Sequence, residues 1–591
     1  MSKFKLIILF LLGSSLWMRA QERMDEMWGD SKANISDSTK DYRLLTDGKY
    51  GMFIHFGMFS EISNRYKDKT YYGVGEWLMH KKMANIPVEE YKSMASRFNP
   101  VDFDATNIAR IAKEAGMRYV VITSKHHDGF AMYNSRVGDF DIFKKTSFKR
   151  DILKELSDAC RKEGLGFGFY YSHNQDWTYP GGRLAPSVNE KGEKKSFDDY
   201  LREKCLPQIE ELTTQYGKID IMWFDTPGGM TEEQVEKVVA IVRKNQPNAL
   251  ISGRVGKGKG DYLTLGDMEI PQRNVSGMWE SPDTSNDAWA YAWYDENWKT
   301  PKDILQRLIT CVARGGAYLL NIGPNGRGKI PERNVRVLKS VGKWLTCYPQ
   351  VIYGVDASPY GHSLPWGEVT MNGSKMYLSV YKWPHDGKLY LFGLKTPVKT
   401  ACILGKDLKT VWVSDKDMNG WQTIDVPIAA PDELVSVIEL ELEGKAEVEN
   451  RLWPVMPNEE TRLLSNWAEV VNADKEERSW SEKFGEWKKT THITNWMSNG
   501  RAYWDIVVQK PGDYMTHLEY RGEGRLVWEI SVEGGEKVRN QQGSSDYYQE
   551  LPIGWIHFPK AGKYRLSVSC LEGNLQKACL RAIKISPIIG I

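Results

Sequence analysis

Short apolar runs alternate with amphipathic stretches through the first three-fifths of the chain, and the alternation stops near Tyr353. The runs are Gly51–His55, Tyr119–Thr123, Gly166–Tyr171, Ile219–Asp225, Ala249–Ser252 and Ala317–Ile322. Between them, apolar positions recur at helical spacing over Ala105–Ala115, Asp151–Glu163, Phe197–Tyr216, Glu232–Asn245, Lys302–Ala313 and Glu332–Tyr348. Strand and helix alternating over roughly 300 residues predict a parallel sheet, most economically an α/β (β/α)8-like TIM barrel, with a doubly wound open sheet as the alternative. After Tyr353, runs such as Lys375–Tyr381, Lys388–Phe392, Thr410–Val413 and Leu434–Leu440 follow one another without helices, the pattern of an antiparallel β-sandwich. A composition shift near Glu443–Pro454 introduces a further all-β unit, with strand-like runs at Tyr503–Val508, Arg525–Val532 and Lys563–Val568.

The first residues read as an address. Lys3 and Lys5 precede an apolar run, Leu6–Leu11 extending to Trp17, and Met18-Arg19-Ala20 supplies a small-residue cleavage site. That run is shorter than the ~20 residues a membrane span needs, so it predicts a secretory signal peptide and an exported, periplasmic or secreted protein. No other segment is apolar enough to span. The expected organisation is a signal peptide (1–20), a barrel (21–350), a β-sandwich (351–447) and a second β-sandwich (448–591).

Composition narrows the partners. A formal net charge of +2 on 591 residues, with charges well mixed, leaves no electrostatic footprint for nucleic acid. The 22 Trp and 29 Tyr suit carbohydrate, whose C–H faces stack on aromatic rings. The last unit concentrates Trp453, Trp467, Trp480, Trp487, Trp496, Trp504, Trp528 and Trp555, which fits either a carbohydrate-binding sandwich or an architectural domain packed on the barrel. Seven scattered cysteines form no disulfide framework; Cys570 and Cys579 flank a turn-like Leu-Glu-Gly-Asn but are not expected to pair.

Chemistry gathers where the barrel runs end. His55 closes the first run, Ser124-Lys125-His126-His127-Asp128-Gly129-Phe130 follows the second, Tyr171-Ser172 and Asp176-Trp177 follow the third, and Trp223 and Asp225 end the fourth. In a barrel all these termini open on one face. Asp225 alone reads equally as a helix N-cap or as a catalytic carboxylate. A metal site at His126, His127 and Asp128 is not expected, because consecutive side chains diverge and no second cluster matches. Gly253–Gly260 resembles a phosphate loop but places Gly260 where a hydroxyl should bind magnesium. No cofactor is predicted.

In combination, Gly51-Met-Phe-Ile-His-Phe-Gly57, Glu76-Trp77, Lys125-His-His-Asp-Gly-Phe130, Trp223-Phe-Asp225 and Arg314-Gly-Gly-Ala-Tyr-Leu-Leu-Asn-Ile-Gly-Pro324 resemble the α-L-fucosidases of glycoside hydrolase family 29. The resemblance covers most of residues 41–350 in order. It implies a retaining exo-hydrolase acting on terminal α-L-fucose of glycans, with Asp225 as nucleophile and a glycosyl-enzyme intermediate. It also implies that His55, Glu76, Trp77, His126, His127, Tyr171 and Trp223 bind the sugar, and that Arg254 lies beside the nucleophile. A retaining mechanism needs a second carboxyl ~5 Å away to protonate the leaving oxygen. The loop from Gly260 departs from the common family pattern here and offers Asp267, Glu269 and, beyond it, Glu280. Asp267 and Glu269 share a face if the loop is extended. A silent fucose-binding protein and a hydrolase of a related sugar such as α-L-galactose remain alternatives on the same scaffold.

Overall fold

The computed structural model describes residues 40–405, 409–481 and 486–588, so the expected signal peptide lies outside the described residues. The described chain forms two compact units, one built mainly from residues up to Val355 and the other mainly from Asp356 onward.

The first unit is the predicted barrel. Its strands are β1 (Tyr50–Ile54), β2 (Tyr119–Lys125), β3 (Gly166–Tyr171), β4 (Ile221–Phe224), β5 (Leu250–Ile251), β6 (Leu263–Thr264), β7 (Trp279–Thr284) and β8 (Ala317–Ile322). All neighbours are parallel, and they run in chain order around the sheet, with β8 returning to β1. The remaining gap, between β5 and β6, is joined by a single parallel bridge from Ser252 to Tyr262. Six helices cover the sheet: α1 (Ala105–Glu114), α2 (Ile152–Glu163), α3 (Leu206–Gln215), α4 (Glu232–Asn245), α5 (Pro301–Ala313) and α6 (Glu332–Cys347).

Local chemistry sets the helix ends. Asp104 and Asp151 accept from the backbone amides of Asn107 and Lys154, and Thr231–Gln234 and Thr300–Asp303 form capping boxes. The expected single helix Phe197–Tyr216 is continuous but contains a π-helical turn at Leu201–Cys205, which lies between Phe197–Tyr200 and α3. Strands β6 and β7 carry no apolar run, so hydropathy along the chain does not predict them. β7 reads Trp-Glu-Ser-Pro-Asp-Thr yet is buried throughout, because its charges find partners inside. Asp283 accepts from the Tyr318 hydroxyl at 2.6 Å and pairs with Lys299 at 3.2 Å and with Arg307.

Strand alternation builds the barrel interior. Phe53, Tyr119, Val121, Tyr170, Ile221, Trp223, Leu250, Tyr262, Ala317 and Leu319 share one core. Gly51 makes room in it: a Cβ there would lie 2.3 Å from the Tyr119 ring. Following the same parity upward places His55 and Asp225 at the C-terminal mouth, directly above this packed floor.

In the second unit, one antiparallel sheet contains Gly367–Asn372, Lys375–Val380, Ser436–Leu442 and Val398–Ile403, and packs against the pair Lys388–Leu391 and Gln422–Asp425. Two larger sheets, one holding Arg501–Val508, Gly562–Glu572 and Arg525–Val532, the other Gly512–Arg521, Gln549–Phe558 and Cys579–Pro587, enclose a second core. Trp453, Trp496, Trp504 and Trp528 are buried in that core, and Trp467 stacks on Trp453 at 3.7 Å. Trp555 is exposed; the side chains of Trp480 and Trp487 lie outside the described residues. All seven cysteines are free. Among the described residues, no helix is long and apolar enough to cross a membrane.

Candidate active site

Asp225 is the first residue after β4 and faces the mouth on the same side as Trp223. Its carboxylate caps no helix, since Thr231 fills that role for α4. Instead Oδ2 accepts from the Tyr170 hydroxyl at 2.9 Å and Oδ1 from Arg254 Nη1 at 3.1 Å. Arg254 sits in the tight turn Gly253–Val255 directly after β5, with its guanidinium 5.0 Å from the Trp223 ring centre. Its other nitrogen, Nη2, donates to Asp267 Oδ1 at 2.6 Å and to the Leu265 carbonyl at 2.8 Å. One planar guanidinium therefore spans both carboxylates, a geometry Lys could not supply. Burial raises the Asp225 pKa, Arg254 lowers it, the Asp267 charge raises it and the Tyr170 hydroxyl lowers it; the balance lies above the ordinary value.

Three imidazoles line the pocket beside this pair. His55 Nδ1 lies 2.7 Å from Asn321 Oδ1, and the Asn321 amide nitrogen donates to the Trp289 carbonyl at 2.6 Å. That fixes Asn321 Oδ1 as acceptor, puts the His55 proton on Nδ1 and leaves Nε2 as a lone pair. His127 is set the same way. The Ser172 hydroxyl donates to the Gln175 carbonyl, so it accepts from His127 Nδ1 at 2.7 Å and leaves Nε2, 3.7 Å from Asp225 Oδ2, unprotonated. His126 stacks on Tyr170 at 5.1 Å, and its Nδ1 has no hydrogen-bond partner among the described residues. Burial holds all three neutral, with His55 lowered to about 3 and the other two well below their ordinary value. The three rings thus meet a ligand as neutral imidazoles, His55 and His127 with Nε2 as acceptor, and the positive charge beside them is the Arg254 guanidinium.

Glu76 and Trp77 close one side from the short turn Gly75–Trp77. Trp77 packs edge-on against His127 at 5.4 Å and Trp177 at 5.2 Å. Glu76 accepts from the Ala290 amide at 3.2 Å. Burial raises its carboxyl to about 7, against two backbone hydrogen bonds and with help from the charges of Asp267 and Asp225. Near neutral pH its protonated form is therefore accessible, and in that form it can donate to a hydroxyl.

This geometry meets an independent match. A family model described as Alpha-L-fucosidase covers residues 18–350, more than half of the chain. The chain belongs to the α-L-fucosidase family. It is a glycoside hydrolase with a glycan substrate. The α-L-fucosidase of Dictyostelium discoideum is 27% identical over 462 residues, which covers 73% of this chain and 97% of that one. The crystal structure of α-L-fucosidase from Vibrio sp. strain EJY3 superimposes with a TM-score of 0.75 at 28% identity, over 92% of this chain and 97% of that one. A family 29 α-L-fucosidase from Bacteroides thetaiotaomicron, trapped as a covalent intermediate with 2-fluoro-fucosyl fluoride using a Glu-to-Gln mutant, gives a TM-score of 0.61 at 27% identity. That match covers 68% of this chain and 95% of that one.

Within this fucosidase barrel the expected site residues divide. His55, Glu76, Trp77, His126, His127, Arg254 and Asp267 surround Asp225, and Trp223 forms the floor. Tyr171 is a correction: its hydroxyl donates to Gln208 at 2.9 Å in the layer between sheet and helices. Strand parity turns Tyr170 to the pocket instead. Glu280 is also corrected. It lies beneath the site, fully buried, accepting from the Tyr119 hydroxyl at 2.6 Å and from Trp223 Nε1 at 3.0 Å, and burial raises it to about 7. It anchors the Trp223 indole on which Arg254 rests.

The loop carrying Asp267 and Glu269 is not extended. Glu269 N donates to the Gly266 carbonyl at 3.0 Å and Met268 adopts a left-handed backbone (φ 59°), so the two carboxyls diverge. Glu269 Oε2 folds back to accept from the Gly266 amide at 3.0 Å.

Lys125 and Asp128 of the Lys125–Phe130 motif are structural. Lys125 pairs with Asp176 at 3.1 Å, and so does Lys204 at 2.7 Å from the π-helical turn. Asp128 accepts from the Tyr91 hydroxyl at 2.9 Å. Sequence reasoning missed Tyr170, Trp289 and Asn321 as site-builders, and named Ser172 without its role of setting the His127 tautomer.

Proposed function

We propose that this chain is an exported retaining α-L-fucosidase that removes terminal α-L-fucose from glycans by double displacement. The observation that carries the reading is the Arg254 guanidinium shared by Asp225 and Asp267 at 3.1 and 2.6 Å, because a retaining site needs two carboxyls close together. In the first step an Asp225 oxygen attacks the anomeric carbon, the bond to the leaving oxygen breaks, and Asp267 gives that oxygen a proton. In the second, Asp267 takes a proton from water, which attacks the same carbon and frees Asp225. Asp267 is favoured over Glu269 because Glu269 is turned back onto its own loop. The covalent intermediate of the Bacteroides relative supports the two-step course.

In this reading the lone pairs of His55, His126 and His127 accept from fucose hydroxyls, Glu76 donates to one, and Trp77 covers an apolar face of the sugar. Export rests on the leader-like Lys3–Ala20 segment alone.

Following hydrolysis of an aryl α-L-fucoside by NMR tests the reading. The first fucose released should be the α anomer, with β appearing only by later mutarotation. Initial release of the β anomer would mean a single displacement and overturn it.

A further inference from the structure

Two segments that reach into the pocket continue outward onto its rim. One runs back from Glu76 to Tyr72, the other forward from Trp289 and Ala290 to Trp293 and Tyr294. Four residues of chain span at most about 14 Å, so both rim positions lie close to the pocket. The rim is aromatic and open: Tyr72 is 73% exposed and Trp293 41%. Scattered exposed aromatics are ordinary. These two are braced. The Tyr294 hydroxyl accepts from the Gly73 amide at 2.8 Å and donates to the Gly73 carbonyl at 3.1 Å, and Asn64 Nδ2 donates to that same carbonyl at 3.0 Å. Tyr72 packs on Tyr294 at 4.7 Å, Trp293 stands edge-on to Tyr294 at 6.2 Å, and the Arg65 guanidinium covers one Trp293 face at 4.1 Å. These contacts position Tyr72 and Trp293 while both remain open to solvent.

We propose that Tyr72 and Trp293, with Arg65, form a subsite for the sugar to which fucose is attached, binding it as the leaving group. The occupant is a pyranose: its C–H face stacks on a ring while its hydroxyls meet the Arg65 donors and the Tyr72 hydroxyl. The inference rests on the fucosidase reading, which places the fucose in the pocket and its aglycone toward the rim. Fucose alone makes no contact here, so the subsite acts on leaving-group recognition.

The test compares fucosyl fluoride, whose leaving group reaches nothing on the rim, with fucosylated lactose carrying fucose on either galactose or glucose. The Trp293→Ala/Tyr72→Ala double variant should lower the ratio of kcat/KM for fucosyllactose over fucosyl fluoride about tenfold, mainly through KM. An unchanged ratio for the fucosyllactoses would overturn the subsite. Binding gives a second arm independent of turnover. With an Asp225→Asn background, calorimetry should show fucosyllactose binding about tenfold more tightly than free fucose, an advantage the rim substitutions remove. Equal affinities for both ligands before substitution would overturn the subsite. Absence of fucosyl fluoride turnover by the unaltered chain would instead count against the fucosidase reading, leaving the binding arm to decide the rim.

Discussion

Asp225→Asn lowers kcat/KM for an aryl α-L-fucoside by about 10⁴-fold or more, because the amide keeps the shape of the carboxylate and removes its nucleophilicity. The substitution should leave the barrel folded. Tyr170 can still donate to the amide oxygen, and Arg254 retains Asp267 as its counter-ion. Thermal unfolding within a few degrees of the unaltered chain, together with lost turnover, separates a chemical from a structural effect. Near-normal hydrolysis by a folded Asp225→Asn variant would remove Asp225 from the reaction.

Asp267→Ala carries the second largest effect, about 10²- to 10⁴-fold on substrates with poor leaving groups. Protonation of the leaving oxygen matters most when that oxygen is strongly basic, so activated aryl fucosides should lose less than fucosyl disaccharides. Azide should restore turnover and yield a fucosyl azide of retained configuration, since the small anion attacks the glycosyl-enzyme without general-base help. Glu269→Ala provides the contrast. Its carboxylate accepts from the Gly266 amide, so its loss loosens the loop and should show no azide product. Azide rescue of Glu269→Ala and not of Asp267→Ala would reassign the acid/base role.

Most of the barrel was legible because six of its strands are apolar runs and its helices are amphipathic between clear caps. β7 was not legible. Its Glu280 and Asp283 are buried only because Tyr119, Trp223, Tyr318, Lys299 and Arg307 come to them from distant segments, and hydropathy along the chain cannot register partners. Asp225 was legible as the polar end of an apolar strand, and Arg254 as the cation after the next one.

The Tyr170–Tyr171 ambiguity came from adjacent identical side chains. A cue existed: Phe167, Phe169 and Tyr171 form the alternate set that faces the helices, which leaves Gly168 and Tyr170 pointing inward. The divergence of Asp267 and Glu269 was invisible, because nothing in the residue type of Met268 announces a left-handed backbone. The rim, in turn, depends on folding that brings Tyr72 and Tyr294 together from distant parts of the chain.

Incubation with 2-fluoro-fucosyl fluoride, followed by proteolysis and mass spectrometry of the peptides, tests the central claim most directly. The account predicts one fluorofucosyl group, on the peptide containing Trp223-Phe-Asp225 and localised to Asp225, with activity lost in step with labelling. Labelling of any other carboxylate, or inactivation with Asp225 unmodified, would contradict it.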